Sequence, residues 1–371
     1  MSGDVHAAGV MREMRVREPS IQFIGLGGPQ MAAVPGSQIE DWTASAAVVG
    51  LSEVLAKYGY FKEKFTAALE RIEQERPDAV LLIDYPGFNL RLAKALHYGR
   101  GHRPRLIYYI SPQVWAWKKG RIKTMARVLD LMICIFPFEK ELYEKSGLRT
   151  VFAGHPMVDR MKTLQHGWKR EEGLIGWFPG SRLHEVRRLF PVFMKAAKLI
   201  QVQHPNVKFV VSAANEALAG EMRNMAEAAR MPEARRWVET GTVYDLMQRV
   251  DAGAVASGTA TLEAACFGMP YALVYAVSWP TYVVGKLLVH VKHLGMVNIL
   301  AGREVVTELV QHQFTAENVA REMLSLLTDT ERRNQLLGDM ADVVAGLGGG
   351  GAYVNASAAV LDCMAEPVIE A

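Results

Sequence analysis

The sequence predicts an α/β protein of two doubly wound, Rossmann-like parallel-sheet domains with a cleft between them, and three observations predict it. The chain of 371 residues is longer than one hydrophobic core ordinarily supports. Half of its residues are hydrophobic and 22% are charged, the balance of a chain that folds around a core. Apolar runs of strand length alternate with segments of helical period, the pattern of parallel strands joined by crossover helices.

In chain order, Ser2-Gly3-Asp4 directly precede a helical pattern through Val10 and Met14. The chain therefore reads as opening inside a loop, which in a doubly wound domain follows a central first strand. No such strand precedes it, so either the domain is built without one or the sequence begins late. Ile21–Leu26 is a strand ending in Gly25, Gly27, Gly28 and Pro29. Leu51–Ile72 has the helical period, and Arg76-Pro77-Asp78 stops it. Strands follow at Ala79–Ile83, Leu106–Ile110, Leu131–Phe136 and Thr150–Ala153, with helices between them. Gly154–Trp168 is punctuated by Gly154, Pro156 and Gly167 and reads as the passage between domains. A second alternation has strands at Leu174–Phe178, Val207–Ser212, Trp237–Glu239, Asp251–Ala256 and Tyr271–Val274. From Thr315 the chain is helical, and Gly346–Gly351 is a flexible joint before a last helix near Tyr353–Met364. The expected domains are 1–157 and 158–351, with 352–371 packing back on the first.

Charge and cysteine usage narrow the partners. A net charge of +3 is too small to argue for nucleic acid. Its distribution is uneven: Pro86–Leu129 holds ten Lys and Arg, no Asp or Glu, and both Trp115 and Trp117. Such a segment suits an anionic membrane surface or a phosphorylated ligand. Cys134, Cys266 and Cys363 have no metal-ligand spacing and fit a reducing compartment. No stretch reaches the ~20 apolar residues of a membrane span, and Trp279–Leu294 is broken by Lys286 and Lys292. With no signal peptide, the expected location is cytoplasmic.

The candidate chemistry sits where strands end. After Leu174–Phe178, Pro179-Gly180-Ser181 breaks the strand and a helix opens at once, so its free N–H groups and dipole favour an anion. Arg182 in the first turn adds a guanidinium able to grip two phosphate oxygens. Ser257-Gly258-Thr259 repeats this logic after Ala252–Ala256, and Glu263, a turn later, suits ribose hydroxyls. Two such termini in one domain favour a diphosphate ligand. Asp84 ends an apolar strand, where a partly desolvated carboxylate can take a proton from an attacking hydroxyl; capping the following helix is its plainer role. Asn298 and Arg303 read as polar groups on a turn, and His155 as structural. No Walker A loop, HExxH or CxxC is present, and no Asp/His cluster offers a metal site. No metal and no cofactor are expected.

Ser111-Pro112-Gln113-Val114-Trp115-Ala116-Trp117, Phe136-Pro137-Phe138-Glu139, Gly154-His155-Pro156, Pro179-Gly180-Ser181-Arg182, Ser257-Gly258-Thr259 through Glu263, and Asn298 through Arg303 together resemble lipid-A-disaccharide synthase, in order over nearly the whole chain. The resemblance implies a GT-B type glycosyltransferase that condenses UDP-2,3-diacylglucosamine with 2,3-diacylglucosamine 1-phosphate (lipid X). The products are a β-1,6 disaccharide 1-phosphate and UDP, with inversion at the donor carbon. It implies Asp84 as base and Arg182 as catalytic diphosphate ligand. Gly180, Ser181, Glu185, Ser257, Gly258, Thr259, Glu263, Asn298 and Arg303 would join Arg182 at the donor site. Ser2, Gly3, Asp4, Asn89, Ser111, Gln113 and Trp115 would line the acceptor side. Domain 1–157 would then take the acceptor and 158–351 the UDP-sugar. Acylated substrates imply peripheral contact with the inner membrane, expected at the basic segment and at Val48–Phe61; a second copy of the chain is a possible partner. Two departures stand out. Only Ser2-Gly3-Asp4 remains of the opening G-E-x-S-G-D, so a start assigned too late is expected; a chain truly this short would have a first sheet without its central strand. Gly87 replaces the Asp of P-D-F-N, which leaves Asp84 as the base. The rival readings are a GT-B-like nucleotide-sugar 2-epimerase, and a non-catalytic nucleotide-sugar binder lacking the first strand.

Overall fold

The computed structural model describes residues 2–43, 58–116, 120–278, 282 and 292–366. It divides into two compact units, Met1–Pro156 with Leu347–Ala371, and Met157–Gly346.

In the first unit, β1 (Phe23–Gly27) pairs in parallel with β2 (Ser37–Asp41). A separate parallel sheet runs in the order β3 (Ala79–Ile83), β4 (Arg105–Tyr109), β5 (Leu131–Cys134), β6 (Thr150–Phe152). The expected first sheet is thus in two pieces, because no strand among the described residues pairs β1 with β3. The helix Pro86–Tyr98 lays Phe88, Leu92, Ala93 and Leu96 on the core against Leu106 and Tyr108 of β4. Ile122, Met125 and Val128 of the helix Arg121–Val128 close the same cluster. Their spacing of three is that of one helix face.

Ser2-Gly3-Asp4 form the first turn of a helix, Ser2–Arg17, rather than a loop. The Asp4 carboxylate accepts the N–H groups of Gln30 (3.1 Å) and Met31 (2.9 Å), which lie in the short helix Pro29–Ala32. That use satisfies backbone donors left free by a helix start, so Asp4 serves as a cap here. Gly9 lets the last helix, Ala352–Ala365, approach: a Cβ there would stand 2.8 Å from the Tyr353 ring. The Tyr353 hydroxyl lies 3.0 Å from Nδ1 of His6. The joint before this helix is held rather than loose. Leu347 is fully buried and accepts the His155 N–H at 2.9 Å, and a Cβ on Gly348 (φ 103°) would be 3.2 Å from Cα of Gly154.

The second unit is one six-stranded parallel sheet. Its strands are β7 (Glu171–Phe178), β8 (Lys208–Ala213), β9 (Val238–Thr240), β10 (Val250–Ala256), β11 (Tyr271–Tyr275) and β12 (Glu308–Val310), in the order β12-β11-β10-β7-β8-β9. Chain order reverses between β7 and β10, the position where doubly wound sheets open a crevice at their carboxyl ends. Trp177 is fully buried and stacks on Phe193 and Phe209, fastening the helix Leu183–Gln203 to the sheet.

Two sequence expectations are corrected, and a third falls outside the described residues. The segment read as an irregular passage contains the helix Pro156–Thr163, started by a proline that fits a first helical turn. β2 and β12 are not among the expected strands; each sits at a sheet edge and carries too few apolar residues for a clear alternation. Residues 48–57 of the expected apolar helix, and Trp117, Lys118 and Lys119, lie outside the described residues; the described helix is Tyr58–Glu75.

Candidate active site

In the second unit, β7 and β10 are hydrogen-bonded neighbours, with Phe178 opposite Val255. Their following turns therefore emerge side by side. Pro179-Gly180-Ser181 leads into Leu183–Gln203, and Ser257-Gly258 into Thr259–Cys266. A Cβ on Gly180 would be 3.5 Å from that of Ala256 and would collide with the Glu185 carboxylate. Its φ of 94° is also one that glycine adopts without strain. Two helix N-termini with exposed Ser181 and Thr259 thus meet at the switch point, a geometry that favours adjacent phosphate groups.

The charged groups beside these turns are poised differently. Arg182 is largely exposed and pairs with Glu185 Oε1 at 3.1 Å, which orients its guanidinium near the first turn. Glu263 is half-buried and accepts the Tyr244 hydroxyl at 3.0 Å. Burial raises its carboxyl pKa, against the lowering effect of the Tyr244 bond and of Arg160. Asn298 lies not on a turn but in the helix Met296–Ala301, and is 1% exposed. Its amide oxygen accepts the N–H groups of Val305 (2.8 Å) and Val306 (2.9 Å), and its nitrogen donates to Val306 O and Glu308 Oε1. The Asn298 side chain is thereby committed to holding its own loop, and Arg303 pairs with Asp339 at 2.8 Å.

The first unit gathers the other group. The carboxyl ends of β3, β4 and β5 bound a cavity of about 270 Å³ lined by Asp84, Ile110, Ser111, Gln113, Arg121 and Phe136, among others. Asp84 stands solvent-accessible at this cavity, yet the protein around it displaces enough water to raise its carboxyl pKa. Its backbone is left-handed (φ 47°), as are Tyr85 (φ 42°) and Ile110 (φ 64°), conformations that cost non-glycine residues energy. Surrounding bonds hold the turn: Asn89 Nδ2 donates to Ile83 O (3.0 Å) and Asp84 O (2.8 Å), and the Tyr108 hydroxyl to Asp84 O (2.5 Å). Asn89 therefore acts on Asp84 through the backbone. A Cβ at Gly3 would lie 3.9 Å from Ile83 Cγ2, next to the same strand end.

Ser111 is buried with its hydroxyl 2.5 Å from that of Tyr143, Gln113 is exposed, and Trp115 donates its indole N–H to Glu139 at 3.1 Å. His155 is buried against Phe136, with ring centroids 5.1 Å apart, and burial lowers its pKa to about 4. Tyr108, Glu139 and Tyr244 escape the sequence reading. Each works by contacting a residue distant in the chain, although Glu139 ends the Phe136-Pro137-Phe138-Glu139 motif. Among the described residues no cluster of three or more His, Cys, Asp or Glu side chains is arranged to hold a metal, and no helix is long and apolar enough to cross a membrane.

The fold has solved counterparts. The calicheamicin glycosyltransferase CalG4 superposes with a TM-score of 0.56 at 14% identity, over 100% of this chain and 97% of its own. A UDP-GlcNAc 2-epimerase from Neisseria meningitidis, solved with UDP-GlcNAc bound, gives 0.55 at 10% identity, over 98% and 96%. At these identities the likeness concerns fold alone, the two-domain GT-B class. Sequence carries further. The family model described as Lipid-A-disaccharide synthetase matches residues 1–355. A lipid-A-disaccharide synthase of Geobacter sulfurreducens is 38% identical over 99% of this chain and 96% of its own length. One from Myxococcus xanthus is 33% identical over 98% and 95%. With strand-end turns, fold and whole-length similarity in agreement, this chain belongs to the lipid-A-disaccharide synthase family.

Proposed function

We propose that this protein is an inverting glycosyltransferase that joins UDP-2,3-diacylglucosamine to 2,3-diacylglucosamine 1-phosphate, giving the β-1,6 disaccharide 1-phosphate and UDP. The observation that carries the assignment of roles is the pairing of β7 with β10, which sets two helix N-termini side by side. In this reading the second unit takes the UDP-sugar. The N–H groups after Gly180 and Gly258, with Arg182, receive the diphosphate and stabilise the charge it gains as the sugar leaves. Glu185 aims Arg182, Glu263 meets the ribose hydroxyls, and Asn298 keeps the 305–308 segment in place.

The first unit takes the acceptor, with Asp84 at the cavity mouth as general base. Asp84 removes the proton of the acceptor 6-hydroxyl while that oxygen attacks the donor anomeric carbon. The bond from that carbon to the diphosphate breaks on the opposite side, and an α-linked donor gives a β product in a single displacement. Desolvation raises the Asp84 pKa, moving its basicity toward that of a base working near neutral pH.

The test supplies both lipid substrates and follows UDP release together with disaccharide formation. Asp84→Asn and Arg182→Ala are each expected to fall by about 10²–10⁴ in turnover, the span associated with a lost general base or a lost transition-state ligand. Disaccharide formation unchanged in Asp84→Asn would remove it as the base. UDP release without disaccharide in the native protein would favour an epimerase or hydrolase instead.

A further inference from the structure

Glu139 is a carboxylate with 1% exposure, the third residue of the helix Pro137–Glu144. Its Oε2 accepts the N–H of Phe136 at 3.3 Å, which by itself is half of a capping box. Its Oε1 accepts the indole N–H of Trp115 at 3.1 Å, and that bond is not part of any cap. Trp115 belongs to the turn 111–116, whose Ser111, Pro112, Gln113 and Val114 form one wall of the Asp84 cavity; Ile135 and Phe136 belong to another. One buried carboxylate therefore ties together two walls of the same cavity. The helix holds the turn a second time, through the 2.5 Å contact between Tyr143 and Ser111, and Phe138 packs edge-on against Trp115 with centroids 5.3 Å apart.

The chemistry of the partners fixes the form of Glu139 that does this. An indole N–H and a peptide N–H can only donate, so the ionised carboxylate matches both and a protonated one loses a partner. Burial opposes that form and pushes the Glu139 pKa up to about 7, against the lowering effect of Trp115, Phe136 and Ser111. Keeping a charge in this place costs stability that an apolar or neutral side chain would not.

We propose that Glu139 is a positioning residue for the transfer reaction, fixing the turn 111–116 so that Ser111 and Gln113 meet the acceptor in register with Asp84. This rests on the reading of the cavity as acceptor site with Asp84 as its base. Glu139 touches no reacting atom and acts through Trp115.

The experiment compares the full chain with Glu139→Gln, Trp115→Phe, their combination and Asp84→Asn. Turnover, KM for each lipid substrate and the urea midpoint are measured at pH 8. Glu139→Gln is expected to shift the urea midpoint little, because removal of the buried charge is offset by the one N–H donor that an amide cannot accept. Its turnover is expected to fall about tenfold with a raised acceptor KM, while the UDP-sugar KM stays within about twofold. Trp115→Phe should reproduce the loss, and the double variant should lose no more than the worse single one, as for two ends of one interaction. Turnover and urea midpoint falling together in Glu139→Gln, or full losses adding in the double variant, would overturn the proposal. If Glu139→Gln fails to fold, Trp115→Phe, which leaves the cap on Phe136 intact, decides it by the same kinetic split. An inactive Asp84→Asn beside a normal Glu139→Gln sinks the positioning role alone. A fully active Asp84→Asn sinks the acceptor-site reading and this inference with it.

Discussion

Asp84 carries two costs at once, a left-handed backbone and a carboxyl whose charge is disfavoured by lost water. Neither serves stability. With its folded pKa raised above the unfolded value, Asp84 makes the protein less stable as pH rises through that interval. Asp84→Asn should therefore lose turnover while unfolding at an equal or higher denaturant concentration near neutral pH, a split readable by assay and urea titration. In the native enzyme, turnover should decline as pH falls through the raised pKa, because the base is then protonated. His155 has the opposite sign. Its pKa is lowered from 6.5 to about 4 by burial, so the unfolded chain protonates first. Stability from neutral His155 is present above pH 6.5 and is lost as pH falls toward about 4. Melting curves across that range should slope less in His155→Gln. Asn298→Ala belongs to a third kind. It leaves the Val305 and Val306 N–H groups without their acceptor, a loss of about 1–3 kcal/mol in chemical denaturation.

At the level of elements, the strand-turn-helix unit recurs at β3, β7 and β10, but the turns solve different problems. After β7 and β10 the turn contains a glycine at positive φ, Gly180 and Gly258, which leaves the backbone N–H groups at the helix start uncovered by a side chain. After β3 the turn is Asp84 and Tyr85, non-glycine residues held left-handed by Asn89 and Tyr108. Gly180→Ala should therefore act on donor binding. Its added Cβ is strained at φ 94° and collides with Glu185, which in turn holds Arg182. The expected result is a rise of about tenfold in KM for the UDP-sugar, the size of one strong hydrogen bond to phosphate, with acceptor KM unchanged. Isothermal titration with UDP should show the same loss. Asn89→Ala should lower turnover without changing UDP affinity, since its amide holds the Asp84 turn through Ile83 O and Asp84 O in the first unit.

For the molecule as a whole, both proposed substrates carry acyl chains, and the first unit has a basic segment with no acidic residue from Pro86 to Leu129. At ~1 kcal/mol per basic side chain near an anionic surface, a few of these suffice for reversible docking. Neutralising Lys118, Lys119 and Lys123 together should weaken co-sedimentation with anionic vesicles and remove its salt dependence. It should leave UDP affinity unaltered. Binding to anionic vesicles that is indifferent to both charge and salt would remove this segment as a membrane contact.

What the sequence determined by itself are the features set by local chemistry. The strand Ala79–Ile83 and its terminal Asp84 follow from an apolar run stopped by a polar residue and proline. The two strand-to-helix turns after β7 and β10 follow from adjacent Gly and Ser between a strand and a helix. Each needs only neighbours within a few positions, and the family motifs mark the same places. Tertiary structure decided which of these turns meet. Only the pairing of β7 with β10 brings Gly180 beside Ala256, and only the β3-β4-β5 order places Asp84, Ser111 and Phe136 on one cavity. It also reassigned polar residues whose partners are remote in the chain: Asp4 caps Gln30 and Met31, Asn298 holds its own loop, and Glu139 reaches Trp115 across 24 positions. The physical reason is that a polar side chain declares its type in the sequence. Whether it meets a ligand or a buried backbone group depends on which atoms folding brings within ~3 Å.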